Sequence, residues 1–74
     1  MQTVQLQGIG KKPGKAAKDI KPGDILIWNY GFKSLVIDVY SSASGKTITT
    51  TLKEDSGKIV NRIMRANRLV AFQE

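Results

Sequence analysis

The sequence predicts an all-β protein, a five-stranded antiparallel sheet curled into a small barrel and preceded by a basic arm. Three observations carry this expectation. Short runs rich in β-branched and aromatic residues recur from residue 25 to residue 72. Glycine-bearing turns divide them at Asn29-Tyr30-Gly31-Phe32, Ser41-Ser42-Ala43-Ser44-Gly45 and Glu54-Asp55-Ser56-Gly57. Almost no segment keeps a helical period. Tight turns between short strands join antiparallel neighbours, and closure removes the edges that endanger a small sheet.

From the amino terminus, Thr3-Val4-Gln5-Leu6-Gln7 alternates polar and apolar, which permits a short edge strand at 3–7. The stretch GIGKKPGKAAKDIKPGD then holds three glycines before Pro22 and both prolines of the chain, so loop and turn are expected. Ala16-Ala17-Lys18-Asp19 has room for one helical turn ahead of a tight turn at Lys21-Pro22-Gly23-Asp24. Five strands follow, at 25–29, 35–40, 46–53, 58–64 and 69–72, with a short 3₁₀ turn at Arg65-Ala66-Asn67 before the last. The chain divides into an arm, 1–22, and a barrel, 23–74.

The first strand is apolar on both faces, Ile25 with Ile27 and Leu26 with Trp28. The isoleucines match Leu35, Ile37, Val39, Ile48 and Leu52 in character, so this set is assigned to the interior. On that phasing Ile37→Asp unfolds the domain, and Leu26 and Trp28 face outward, with Tyr30 and Phe32 beyond them. Either Val4, Leu6 and Ile9 fold back over Leu26 and Trp28, or the aromatics form an exposed platform, or the strand has the opposite phase. The third strand sets Ile48, Thr50 and Leu52 against Thr47, Thr49 and Thr51, a solvated threonine face.

The order strand, tight turn, strand, loop, strand, hairpin, strand, 3₁₀ turn, short strand resembles an SH3-like barrel over residues 20–73. Gly23-Asp24-Ile25-Leu26-Ile27, then Gly31, Val36 and Val39, is similar to the opening of KOW and Tudor-type barrels. Bulkier residues at Ser34-Leu35 replace the second glycine of that motif, and the loop at 29–32 is shorter than the peptide-binding loop of signalling SH3 domains. In length and style the chain also resembles small proteins carried by bacteriophages and prophages.

Seventy-four residues without Cys or His offer neither a thiolate nor an imidazole for catalysis or metal binding. The acids Asp24, Asp38, Glu54, Asp55 and Glu74 are scattered, and Glu54-Asp55 suits a turn better than a cation. Lys12-Pro13-Gly14-Lys15 lacks the spacing of a phosphate-binding loop. No catalytic residue and no cofactor is expected. With no disulfide, apolar span or signal-like segment, the chain reads as cytoplasmic, in a bacterial or phage-infected cell, with no membrane partner.

The net charge of +6 is uneven. Residues 1–22 carry five lysines against Asp19 alone, whereas the rest sets seven basic side chains against five acids. An arm bearing Lys11, Lys12 and Lys15 suits a polyanion. Arg62, Arg65 and Arg68 recur every third residue, and their forked donors suit phosphate or carboxylate. With Trp28, Tyr30, Phe32 and Lys33 they make a candidate surface for stacking bases and holding phosphates. The first expectation is therefore nucleic-acid binding, DNA or RNA, with low sequence specificity, since no helix is available for a major groove. The alternatives are an interaction module of phage type that binds an acidic protein surface, and a virion or assembly component.

Overall fold

The computed structural model describes residues 2–73, so Met1 and Glu74, the ends of the arm and barrel segments, lie outside it. Seven strands form one antiparallel sheet: β1 (Gln2–Leu6), β2 (Gly10–Ala16), β3 (Ile25–Ile27), β4 (Lys33–Ser41), β5 (Thr47–Glu54), β6 (Ile59–Arg65) and β7 (Leu69–Phe72). Their order is β1-β2-β7-β3-β4-β5-β6. Among the described residues no ladder joins β6 to β1, and the sheet is open. The all-β, antiparallel expectation holds. The arm, however, adds two strands to the five expected.

The edge strand expected at 3–7 is β1, but the loop expected after it is largely β2. Prolines and glycines discourage pairing, yet β2 finds partners on both sides, β1 along residues 10–14 and β7 along 14–16. Pro13 precedes the β7 ladder, where the strand is bordered by β1 alone, so its missing N–H breaks no rung on the β7 side. Gly14 is buried and lets β1 approach: a Cβ there would lie 2.6 Å from Cγ2 of Val4. The helical turn is a 3₁₀ turn at Ala17–Asp19. It docks through Ala17 and Lys18 N–H groups on the carbonyls of Arg68 and Ala66. In place of the 3₁₀ turn expected at Arg65-Ala66-Asn67, Arg65 ends β6 and a simple turn leads into β7, closed by Arg68 N–H on the Arg65 carbonyl.

Two apolar clusters lie on the sheet's two faces. The larger holds Ala17, Ile20, Leu26, Val36, Ile48, Leu52, Met64, Ala66 and Val70, with Trp28, Val39, Val60 and Phe72 packed against it. The smaller joins Leu6, Ile27 and Ala71, flanked by Val4 and Ile9. The interior set predicted from sequence is therefore corrected in β3 and β4. Leu26 and Val36 are buried in the main core, while Leu35 and Ile37 are exposed. In β4 the cause is a bulge: register shifts between Val36 and Asp38, so Val36 opposite Leu52 and Val39 opposite Thr50 both face inward. In β5 the expected phase holds, with Ile48, Thr50 and Leu52 buried. Thr50 is satisfied, its hydroxyl donating to the Arg62 carbonyl at 3.1 Å.

The amino-terminal segment does fold back, though over Ile27 and Ala71 rather than Leu26 and Trp28. No helix among the described residues is long and apolar enough to cross a membrane.

Candidate nucleic-acid interface

Residues 28–33 carry four of the candidate side chains, and their backbone is held in an uncommon shape. Trp28 N–H donates to the Phe32 carbonyl at 2.7 Å, closing the turn that contains Asn29–Gly31. Within it Tyr30 takes φ 65° and ψ 12°, a left-handed conformation that costs a bulky residue free energy. Gln7 holds it there. The Gln7 carbonyl accepts from Tyr30 N–H at 2.7 Å, its side-chain oxygen accepts from the Tyr30 hydroxyl at 3.0 Å, and its own N–H donates to Asn29 Oδ1 at 3.0 Å. Gly8 completes the seat, because a Cβ there would fall 2.8 Å from Cδ1 of the Tyr30 ring. Tyr30 and Phe32 are nonetheless each 66% exposed.

Trp28 is placed differently. It lies half-buried against the main core, and its Nε1–H donates to the buried Ser34 hydroxyl at 2.9 Å. The Arg62 guanidinium covers the ring, 4.5 Å from its centroid. Register explains this: Met64, Arg62 and Val60 lie opposite Ile48, Thr50 and Leu52, so Arg62 starts on the core-facing side of β6. Arg62, itself exposed, thereby reaches Trp28 at the margin of the core and covers its ring with a cation–π contact.

Arg65 and Arg68 flank one recess with Ile63, Met64 and Asn67 at the β6–β7 turn. Arg68 also borders a narrow cleft with Trp28, Asn29, Val4, Gln5 and Leu6. The arginine triplet thus divides, Arg62 on the core side and Arg65 and Arg68 at the turn, with Arg68 reaching the neighbourhood of the aromatic turn. Lys33 lies on the other side of that turn, its Nζ donating to Gln73 Oε1 at 2.8 Å, and shares a pocket with Lys12.

Two arm lysines are fixed by the fold in opposite ways. Lys15 pairs with Asp24 and stands 4.6 Å from the Phe72 ring centroid, so its charge is already partnered. Burial alone would raise the Asp24 pKa, but the Lys15 hydrogen bond, the Lys21 N–H and both lysine charges prevail and hold it below the ordinary aspartate value. Lys11 is exposed on β2 opposite Gln5. Sequence reasoning missed Gln7, Gln73 and the pocket that Lys12 and Lys33 line together. The alternation of Val60, Arg62 and Met64 was the available signal for Arg62. Among the described residues no cluster of acids fit to hold a metal ion occurs.

Compared with protein-family models, curated proteins and solved structures, the chain matches none of them.

Proposed function

We propose that this chain is a non-enzymatic, SH3-like small β protein that binds single-stranded DNA or RNA with little sequence preference. The observation that carries the reading is Tyr30. A bulky aromatic held in left-handed backbone by two hydrogen bonds to Gln7, which is itself anchored on Asn29, yet two-thirds exposed, is strain retained for presentation rather than packing. An exposed ring of this kind stacks on any base, contributing about 1–3 kcal/mol, while Arg68, Arg65 and the unpartnered arm lysines take phosphates. The fold reading is supported by β7-β3-β4-β5-β6, five neighbouring strands in the element order of that barrel, to which the β1–β2 hairpin is added. Absence of cysteine fits a reducing cytoplasm, bacterial or phage-infected.

A second reading rests on a different surface. Leu35, Ile37, Tyr40, Ile59 and Ile63 are exposed on the meander, Ile63 at 69%, which suits a protein partner. Titrating the chain with oligothymidylate, oligouridylate, duplex DNA and heparin at two salt concentrations tests both. The nucleic-acid reading expects single strands to bind and Tyr30→Ala or Phe32→Ala to weaken them by about 1–3 kcal/mol with little change in salt slope. Indifference of single-strand affinity to both substitutions, with equal binding of heparin, would turn the assignment to a protein partner.

A further inference from the structure

One concavity lies beside the aromatic turn and away from the Trp28–Arg62 contact. It is an open pocket of about 390 Å³, lined by Ile9, Lys12, Pro13, Ile27, Gly31, Lys33, Phe72 and Gln73. That volume is within the range of small-ligand sites. Six parts of the fold build it: the β1–β2 turn gives Ile9, β2 gives Lys12 and Pro13, β3 gives Ile27, the 29–31 turn gives Gly31, the start of β4 gives Lys33, and the end of β7 gives Phe72 and the adjoining Gln73. The floor is firm, since Ile27 is buried in the smaller apolar cluster.

The lining has two chemical parts. Ile9, Pro13, Ile27 and Phe72 offer apolar surface, and Lys12 and Lys33 offer two ammonium groups with no carboxylate among the described lining residues. Lys33 donates to Gln73 Oε1, which leaves the Gln73 Nε2 protons free to donate elsewhere. Glu54 and Asp55 border a separate recess that Lys33 also lines, yet among the described residues no ion pair joins them to Lys33, and Asp24 is occupied by Lys15. A ligand that satisfies both parts is a flat, weakly polar ring with acceptors on its edge and an anion attached.

We infer that this pocket is a nucleotide site, taking one base on the Ile9–Pro13–Ile27–Phe72 surface, its phosphate between Lys12 and Lys33, and an edge acceptor of the base on Gln73 Nε2. The ligand class rests on the nucleic-acid reading above, and the same chemistry is presented by an unpaired nucleotide of a strand and by a free mononucleotide. Every base carries edge acceptors, so the pocket takes a base without selecting which one. A bound strand that stacks on Tyr30 and Phe32 passes Gly31 and Lys33, the alternate residues of the same turn, and is in place to drop one nucleotide into the pocket.

The test is an NMR titration of the isotopically labelled full chain with uridine 5′-monophosphate, uridine, ribose 5-phosphate and short oligothymidylate. The monophosphate is expected to shift the amides of Ile27, Gly31, Lys33 and Gln73, and to bind better than either uridine or ribose 5-phosphate. Lys12→Glu combined with Lys33→Glu should cost at least roughly tenfold in monophosphate affinity, with the melting temperature retained because neither side chain belongs to a core. Gln73→Ala should weaken the monophosphate and leave ribose 5-phosphate unchanged. Equal binding of ribose 5-phosphate and the monophosphate overturns the site, as does an unchanged affinity in the double variant. If the oligonucleotide binds through Tyr30 while the monophosphate leaves the pocket amides unmoved, the pocket falls and the nucleic-acid reading stands. If the monophosphate binds there and no oligonucleotide binds, the site is one for free nucleotides and the strand reading falls.

Discussion

Tyr30 is the non-glycine residue with positive φ among those described, and Asn or Gly would occupy its backbone conformation at lower cost. Tyr30→Asn separates strain from use. Relief of the backbone offsets part of the lost ring contact with Gly8, so thermal stability should stay within about 1 kcal/mol of the parent, while single-strand affinity falls by about 1–3 kcal/mol. Calorimetric melting beside oligonucleotide titration checks both. At Asp24 the sign of the pH effect follows from its depressed pKa. A carboxyl lowered by folding stabilises fully above its unfolded value, and the contribution is lost as pH falls through the folded one. The difference in unfolding free energy between the parent and Asp24→Asn should therefore be constant near neutrality and shrink below about pH 4. Urea titrations across that range measure it. Arg62 and Arg68 should likewise part: Arg62→Ala uncovers Trp28, shifts its emission and costs roughly 0.5–2 kcal/mol of stability, whereas Arg68→Ala weakens binding and leaves melting intact.

In the elements, the bulge in β4 decides which residues can be charged. Val36→Asp buries a carboxylate opposite Leu52 and should unfold a chain of this size, while Ile37→Asp, at a position 44% exposed, should melt close to the parent. Circular dichroism melts of the two variants check the phase directly. The phase was not legible because residues 25–28 and 35–37 are apolar at every position, so period-two reading had no contrast to use. In β5 threonines alternate with Ile48 and Leu52, and there the reading was correct. The β1–β2 hairpin is held by Leu6 on Ile27 and Ala71 and by Val4 over Gly14. Deleting residues 1–9 should lower the melting temperature and red-shift the emission of Trp28, which shares a cleft with Val4, Gln5 and Leu6.

For the molecule as a whole, the arm's charge belongs to a folded surface. Lys11 and Lys12 sit on β2, and Lys15 is neutralised by Asp24. Replacing Lys11 and Lys12 with Ala should flatten the dependence of log K on log salt by about two, at about 0.7–0.9 per phosphate contact. Adding Lys15→Ala should lower stability and leave the slope nearly unchanged. Binding isotherms at several salt concentrations separate these outcomes from a free tail, for which all three lysines count equally. The candidate surface was legible by residue type, as aromatics near arginines and lysines, and illegible in its grouping. Period three grouped Arg62 with Arg65 and Arg68, yet Arg62 lies on the Trp28 ring while Arg65 and Arg68 flank one recess at the β6–β7 turn.

The sequence by itself determined the strands from 25 to 72, their antiparallel joining, the threonine phase of β5 and the lack of thiol or imidazole chemistry. Each of these depends on local backbone preference or composition, which neighbours in the chain set. The tertiary structure alone decided that a Pro- and Gly-rich arm becomes a strand, that Leu26 and Val36 rather than Ile25 and Ile37 enter the main core, and that Lys12 and Lys33 line one pocket with Ile27. These outcomes turn on partners remote in sequence. β2 pairs because β1 and β7 supply the missing hydrogen bonds, and a strand apolar on both faces acquires an inside only when another surface covers one of them.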